Sequence, residues 1–277
     1  MPLTSARLWL VATPLGNPGD LSPRAVETLT RADLILAEDT RRAGNLLAAA
    51  QVAPKRLLSF HEHNEADRLP QVLEALCQGQ VVALISDAGM PVLSDPGFHL
   101  VRACRAEGLP VSCVPGPCAE ATAVAASGLP PQPYVFLGFL PRKPGDLRRI
   151  LGQYARLPAT LVFFERKDRL RASLDAAAEC LGPRQVCVAR EMTKTYEEFL
   201  LGRLDDPAFC QKELLGEITV VIGPPEEIPA SPDSEIFALA EVHPDLPPRA
   251  LAKLIQTRTT GRSAKEIYEL LLTRGKA

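Results

Sequence analysis

Short apolar segments alternate with amphipathic segments along the first 115 residues of this chain. The apolar segments are rich in Leu, Ile and Val and have the length of buried strands, at 7–12, 33–37, 56–60, 81–86 and 111–114. Strands that alternate with helices pair in parallel and bury both faces of their sheet. The pattern therefore predicts an α/β unit with a mostly parallel sheet that helices cover on both sides.

Two of the intervening segments carry helix-start signals. Ser22 precedes Pro23, which predicts an N-cap followed by proline at the first helical position. Asp95 and Pro96 repeat this arrangement, and Gly108 is expected to end the helix that they begin.

A second α/β block follows, and it begins with an alanine-rich helix at 118–127. Its strands are expected at 134–140, 160–165, 184–189 and 217–222, and its further helices at 146–156, 168–180 and 195–204. Beyond the proline-rich stretch GPPEEIPASPD, two short helices are expected on either side of Gly261. We therefore predict an N-terminal α/β domain at 1–114, a second at 115–224, a linker at 225–240 and a small basic helical domain at 241–277.

Composition and charge narrow the class of protein. Seven cysteines without a C-x-x-C pair favour reduced thiols, and no apolar run approaches the ~20 residues of a membrane span. The first residues show no secretory signal, so we expect a cytoplasmic protein that does not use a membrane. Residues 241–277 carry seven basic and four acidic side chains, which is a weak indication of a polyanionic partner or simply a solvated helical surface.

Four loops are expected at the carboxyl ends of parallel strands, where ligands of open α/β sheets bind. They are rich in Gly, Pro, Asp and Ser and lie at 13–20, 37–42, 86–97 and 114–121.

The third and fourth loops offer complementary chemistry. After Gly116, the backbone N–H groups of Cys118 and Ala119 at a helix start suit an anion such as a carboxylate. The Asp87 carboxylate and the carbonyls around Gly89 suit ribose hydroxyls or a positive charge. S-adenosylmethionine carries all three groups, although the same loops are also compatible with ordinary turns of an α/β protein.

The ordered motifs TPLGNPGDLSPRAVETLTRADLILAEDTRRAGNLL, FHEHNE, ISDAGMPVLSDPGFHLVRACRAEGLP, VPGPCAEATAVAASGLP, GFLPRK, LVFFERKDRL, AREMTKTYEE and GEITVVI extend over 8–223. Together they resemble the ribosomal RNA small-subunit methyltransferase I family of the tetrapyrrole-methylase fold superfamily. The resemblance implies two α/β domains with the cofactor cleft between them, plus a small helical C-terminal domain. It further implies S-adenosylmethionine as cofactor, a homodimer, no DNA partner, and 2′-O-methylation of a cytidine in the decoding region of 16S rRNA in the small ribosomal subunit.

Motif matching also implies which residues line the cofactor cleft. The first domain and the junction would contribute Leu15, Asp87, Ala88, Gly89, Met90, Cys118 and Ala119. The second domain would wall the adenine with Phe164, Met192 and Ile218.

Methyl transfer to a ribose hydroxyl needs a positioned oxygen and a group that takes its proton. The candidates for that group are Lys194, as a base of lowered pKa, Asp39 and His61, although the reaction could also depend mainly on positioning. His61 and His63 alone supply too few ligands for a metal, so no metal site is expected.

RNA binding requires contacts to phosphates and to a splayed nucleotide. The candidates near the expected cleft are Arg41, Arg42, Asn64, Arg142 and Lys143, each of which could instead be an ordinary surface residue.

Two alternative functions stay open at this point. A methylase of a corrin or sirohaem precursor is weakened because the loops read TPLGNPGD and SDAGMP where tetrapyrrole methylases typically carry G-x-G-P-G-D and G-D-P. A non-catalytic ribosome-binding factor of the same fold would bind no cofactor.

Overall fold

The computed structural model describes residues 7–212, 214–226 and 230–274. Parts of the sequence expectations lie outside the described residues. These parts are residues 1–6 of the first predicted domain, residue 213 of the second, residues 227–229 near the start of the predicted linker, and residues 275–277 of the basic C-terminal segment, which include Lys276.

A five-stranded parallel sheet forms the first half of the molecule. Its strands are β1 (Leu8–Val11), β2 (Leu34–Ala37), β3 (Leu57–Ser59), β4 (Val82–Ile85) and β5 (Val111–Val114). The helices of this half are α1 (Pro23–Arg31), α2 (Thr40–Ala49), α3 (Glu65–Cys77) and α4 (Phe98–Ala106). The strand order is β3-β2-β4-β1-β5, and successive side chains of the central strands enter two apolar clusters on opposite faces. The predicted parallel sheet with two covered faces is confirmed.

One of the two predicted helix starts is confirmed and the other is wrong. The Ser22 hydroxyl accepts the Ala25 N–H at 3.1 Å, and α1 begins at Pro23. The later helix, α4, is capped by Gly97 with φ +121° rather than by Asp95. A Cβ at position 97 would overlap Leu84 Cδ2, so the backbone turns here at a glycine and Asp95 is left outside the helix.

A mixed sheet forms the second half. Its strands are β6 (Tyr134–Phe139), β7 (Thr160–Glu165), β8 (Gln185–Arg190), β9 (Glu198–Arg203) and β10 (Ile218–Ile222). The helices α5 (Ala119–Ala126), α6 (Pro144–Gln153) and α7 (Leu170–Leu181) accompany them. The order is β6-β7-β10-β8-β9, in which β6 and β7 pair in parallel and the remaining neighbours are antiparallel. The two sheets confirm the expected pair of α/β units.

The helix predicted at 195–204 is wrong, because β9 occupies most of that segment. Six residues of β9 pair with β8, and Arg190 Nε donates to Glu198 Oε2 at 2.7 Å across the pair. The backbone hydrogen bonds of this long-range pairing outweigh the local helical pattern.

Three helices form a small bundle at the C-terminal end: α8 (Asp233–Glu241), α9 (Pro248–Gln256) and α10 (Ala264–Arg274). Its core contains Ile236, Leu251, Ala252, Ile255 and Ile267. The two helices expected around Gly261 are present, and α8 takes up much of the predicted linker. An ion pair of 2.5 Å between Arg156 and Glu235 joins the bundle to the second half. The domain boundaries stay a prediction. No helix in the described part of the chain is long and apolar enough to cross a membrane.

Candidate active site

The strand order creates a switch point between the neighbouring strands β1 and β4. The chain leaves β1 toward β2 on one side of the sheet and leaves β4 toward β5 on the other, so their loops diverge. At their start the two loops are joined by a backbone bridge, in which Thr13 and Gly89 exchange N–H···O bonds of 2.9 and 3.0 Å. The Thr13 hydroxyl adds a bond of 3.1 Å to the Ser86 carbonyl. The two loops therefore form one rigid floor for a crevice.

Glycine is required at two places in this floor. Gly89 has φ +81°, and a Cβ there would lie 3.2 Å from Leu15 Cδ2. A Cβ at Gly116 would lie 3.0 Å from the Cβ of Ala12. Side chains at these positions would crowd the crevice, and at Gly89 the backbone conformation itself disfavours one.

Above this floor, a cavity of about 530 Å³ lies between the two sheets. Its lining contains nine of the ten residues expected to bind the cofactor: Leu15, Asp87, Ala88, Gly89, Met90, Ala119, Phe164, Met192 and Ile218. They come from loops, strands and the start of α5, spread over some 200 residues of sequence. Such a volume is typical of a site for a small organic ligand.

The tenth expected residue, Cys118, is not among the residues that line the cavity. It is the N-cap residue of α5, and its thiol donates to Glu120 Oε1 at 2.9 Å. Burial and this carboxylate raise the pKa of Cys118 to about 12, so the thiol stays protonated. At this turn the residues that line the cavity are Ala119 and the acidic Glu120.

Asp87 is held in place by Asp39, in the loop after β2, and by Arg42, in the first turn of α2. One of its oxygens accepts the Asp39 N–H at 3.2 Å, and the other accepts from Arg42 Nη1 at the same distance. Arg42 therefore forms an ion pair with Asp87, one of the acids that line the cavity.

Asp95, which the sequence indicates only as a helix cap, is a cavity residue outside the expected cofactor-binding and catalytic sets. It lines the cavity with Asp87 and Glu120. Burial, together with the charges of Glu38, Asp87 and Glu120, raises its pKa to about 7, against a smaller opposing effect of a Ser86 hydrogen bond. The available signal was the repetition of Ser-Asp in SDAGMPVLSDPG, which places two Asp residues in one ligand loop.

The loop that presents Asp95 has an uncommon backbone conformation. Val92 has φ +77° and Ser94 has φ +66°, a region that costs about 1–3 kcal/mol for residues other than glycine. For a β-branched residue such as Val92 it is a genuine outlier. Strain of this kind concentrates at functional sites, where the surrounding packing maintains it.

Lys194 does not have the lowered pKa that was expected of a base. Its ammonium donates to Glu191 Oε1 at 3.0 Å and to Glu217 Oε2 at 2.9 Å. Burial lowers the pKa of Lys194, but the bonds and charges of the two glutamates outweigh burial and raise it overall. Its stem crosses Gly16, where a Cβ would overlap Lys194 Cγ, so this ion-paired lysine links the opening loop to the second sheet.

The other two candidates for a base are engaged in local structure. Asp39 caps α2, accepts the Arg41 N–H at 2.8 Å, and pairs with the Arg41 side chain, which keeps its pKa well below the usual value. His61 Nε2 lies 3.1 Å from the Asn64 side-chain nitrogen, and its Nδ1 is buried with no partner among the described residues. Neither Asp39 nor His61 is in the lining of the cavity.

The five candidate RNA-binding residues differ in whether their side chains already have partners within the protein. Arg41 and Arg42 pair with acids, while the Asn64 amide accepts the His61 N–H at 2.8 Å and donates to Ser59. Arg142 and Lys143 are exposed just after β6, and their side chains form no ion pair or hydrogen bond within the described residues. Across the described residues, no three His, Cys, Asp or Glu side chains are arranged to hold a metal ion.

The family model of Tetrapyrrole (Corrin/Porphyrin) Methylases matches residues 7–208, which include both α/β units and most of the residues that line the cavity between them. The chain is therefore a methyltransferase of the tetrapyrrole-methylase class. Among solved structures, the methyltransferase CobJ is 22% identical with a TM-score of 0.61, covering 79% of this chain and 95% of its own. Uroporphyrin-III C-methyl transferase from Thermus thermophilus, complexed with S-adenyl homocysteine, is 22% identical with a TM-score of 0.55, covering 79% and 97%. These likenesses establish the fold.

Curated relatives identify the family within this class. Ribosomal RNA small subunit methyltransferase I of Thermotoga maritima is 47% identical over 218 residues, which are 78% of this chain and 97% of the relative. The protein of the same name from Mycobacterium tuberculosis (strain ATCC 25618 / H37Rv) is 44% identical, covering 86% and 82%. The chain belongs to the ribosomal RNA small subunit methyltransferase I family.

Proposed function

We propose that this protein methylates the 2′-hydroxyl of a cytidine in the 16S rRNA of the small ribosomal subunit. The observation that carries the proposal is 47% identity along 97% of a relative named ribosomal RNA small subunit methyltransferase I. The motifs that carry the resemblance are also those whose residues converge on the cavity. We further propose that the enzyme works in the cytoplasm as a homodimer.

The cofactor is S-adenosylmethionine, and the residues of the cavity fit it. Leu15, Met90, Met192 and Ile218 provide an apolar wall for a flat purine, and Gly89 allows close approach of the backbone. Asp87, held by Arg42, offers carboxylate oxygens to ribose hydroxyls.

When bound, S-adenosylmethionine supplies a methyl group on a sulfonium sulfur, so that attack by the ribose 2′-oxygen forms the O–C bond as the S–C bond breaks. The chain must then hold the 2′-hydroxyl in line and accept its proton. We propose that Asp95 accepts this proton, since it lines the cavity and a pKa of about 7 suits proton transfer near neutral pH. The ion-paired Lys194 is then a structural link between the two halves.

The proposed function is tested with labelled S-adenosylmethionine and small subunits that lack the modification. We expect label in the 16S rRNA, at one cytidine, in a nuclease-resistant 2′-O-methyl linkage. Label in a corrin or sirohaem precursor and none in RNA would assign the protein to tetrapyrrole metabolism. Absence of cofactor binding by calorimetry would instead indicate a non-catalytic ribosome-binding factor.

A further inference from the structure

We propose that Phe139 and Leu93 form a stacking surface for the base of the nucleotide to be methylated, and that Arg142 and Lys143 bind the flanking phosphates. The inference rests on the proposed RNA substrate. It identifies the residues of the cavity that would contact the RNA, whereas the residues discussed above would bind the cofactor or accept the proton of the 2′-hydroxyl.

Phe139 and Leu93 are large apolar side chains that remain open to solvent at the cavity. Phe139 is 57% exposed and Leu93 is 44% exposed, and both belong to the cavity lining. They come from different halves of the molecule, since Phe139 ends β6 and Leu93 lies in the strained loop after β4. An exposed apolar pair at the mouth of a ligand cavity indicates a contact surface for a ligand.

The backbone of β6 is shaped to present the Phe139 ring. The register of β6 against β7 shifts between Phe136 and Phe139, and Gly138 has φ +63°. Irregularities of this kind redirect a side chain near functional sites. A Cβ at Gly138 would lie 3.1 Å from Ser94 Oγ, so the strand approaches the loop that carries Leu93 at this residue.

The Phe139 ring is held before any ligand arrives. It packs edge-on against Phe164, with ring centroids 5.5 Å apart and an interplanar angle of 62°. Phe164 in turn packs against Phe136 at 4.9 Å. A ring held by aromatic neighbours loses little conformational entropy when a base stacks on it.

The cationic segment after Phe139 is also held in place. Arg169 Nη2 donates to the carbonyls of Leu140 and Pro141 at 3.2 and 2.9 Å. The next two residues, Arg142 and Lys143, are exposed, and their side chains have no ion-pair partner in the part of the chain that the structure describes. A backbone that is held in place and that carries cationic side chains available for pairing is suited to bind the phosphates on either side of an extruded base.

The charge distribution favours a nucleotide as the occupant. Acidic side chains outnumber basic ones in the cavity lining, which contains six acids and two cations, Arg166 and Lys167. The exposed cations Arg142 and Lys143 are not in the lining and follow Phe139 by three and four residues. A neutral base with its sugar can enter while the phosphates remain outside, which is the arrangement of an extruded nucleotide.

The test compares Phe139→Ala, Phe139→Tyr and Phe98→Ala in the full-length protein. Phe98 is a matched control, because it is 58% exposed and does not belong to the cavity lining. The measurements are kcat/KM for unmodified small subunits and the calorimetric Kd for S-adenosylmethionine. We expect Phe139→Ala to lower kcat/KM about 5- to 150-fold, with Phe139→Tyr and Phe98→Ala within about threefold of wild type. The cofactor Kd of all three variants should change by less than about twofold.

Two results would overturn the inference while leaving the proposed function intact. One is a kcat/KM for Phe139→Ala within about twofold of wild type. The other is an equal loss of cofactor affinity in that variant, which would make the ring part of the cofactor site. Wild-type protein that does not methylate rRNA would instead contradict the proposed function, and the inference with it.

Discussion

Replacement of Asp95 by asparagine removes one charge from the cavity and keeps the size of the side chain. In the wild-type protein, burial and the carboxylates of Glu38, Asp87 and Glu120 raise the pKa of Asp95 from 3.8 to about 7. Because the folded state holds this proton more tightly than the unfolded state, its contribution to stability falls as pH rises from about 4 to 7. Above a pH of about 7, Asp95 is ionised in both the folded and the unfolded state, and its destabilising effect on the fold has reached its full size.

The size of this destabilisation follows from the two pKa values. A pKa difference of about three corresponds to a change in the free energy of unfolding of about 4 kcal/mol as an upper bound. Because the side chain is partly exposed, solvent screening reduces this change to about 2 kcal/mol. Asp95→Asn should therefore be more stable than wild type by about 2 kcal/mol near pH 8, and this advantage should vanish near pH 4. Stability gained at the expense of activity is common at catalytic sites.

Urea unfolding at several pH values measures the stability difference, and rRNA methylation measures the activity. Wild-type kcat/KM should rise with pH through about 7, because only ionised Asp95 accepts a proton. The asparagine variant should lose about 10²–10⁴ in rate and lack this pH dependence. Asp67→Asn, in the exposed first turn of α3, serves as the control. It should keep wild-type activity and lower the stability near pH 8 by less than about 1 kcal/mol, through the lost interaction with the helix dipole.

Two outcomes would refute this reasoning about Asp95. A stability difference that is the same near pH 4 and pH 8 would mean that the carboxyl titrates normally. Activity close to wild type in Asp95→Asn would mean that another group, or solvent, takes the proton.

Three further predictions test the cofactor floor, the core and the C-terminal bundle. Gly89→Ala should weaken S-adenosylmethionine binding about tenfold in calorimetry, whereas Gly108→Ala, at another positive φ but with open space around it, should leave the Kd unchanged. Arg184→Met should lower the free energy of unfolding, measured by urea denaturation, by about 2–3 kcal/mol, because the fully buried guanidinium donates to four carbonyls. Unchanged stability would show that these hydrogen bonds make no net contribution. The double variant Lys253→Glu/Lys265→Glu, on the C-terminal bundle, should bind small subunits more weakly and with a smaller salt dependence, because fewer phosphates are neutralised. Its affinity for the cofactor should not change. Binding to small subunits equal to that of wild type would exclude the bundle as an RNA contact.

Local sequence was sufficient wherever neighbouring residues determine the structure. The parallel strands were predicted because runs of Leu, Ile and Val must be buried on both faces. The start of α1 was predicted because the Ser22 hydroxyl needs only the nearby Ala25 N–H. Loops at the carboxyl ends of strands were recognised as ligand loops for the same topological reason that places the cavity there.

Local sequence was insufficient where distant groups determine the outcome. Residues 198–203 fit a helical pattern, but pairing with β8 makes them a strand. The lysine expected as a base has its pKa raised by Glu217, which is 23 residues away in the sequence.

By itself, therefore, the sequence determined the layered α/β fold, the family and nine of the ten expected residues that line the cavity. The tertiary structure alone decided which carboxyl has its pKa raised toward neutral pH and which of the exposed phenylalanines lies at the cavity. The physical reason is that burial, charge proximity and ring exposure depend on the distances between segments far apart in the chain. Asp95 and Phe139 acquire their distinctive properties only where the two halves of the molecule meet.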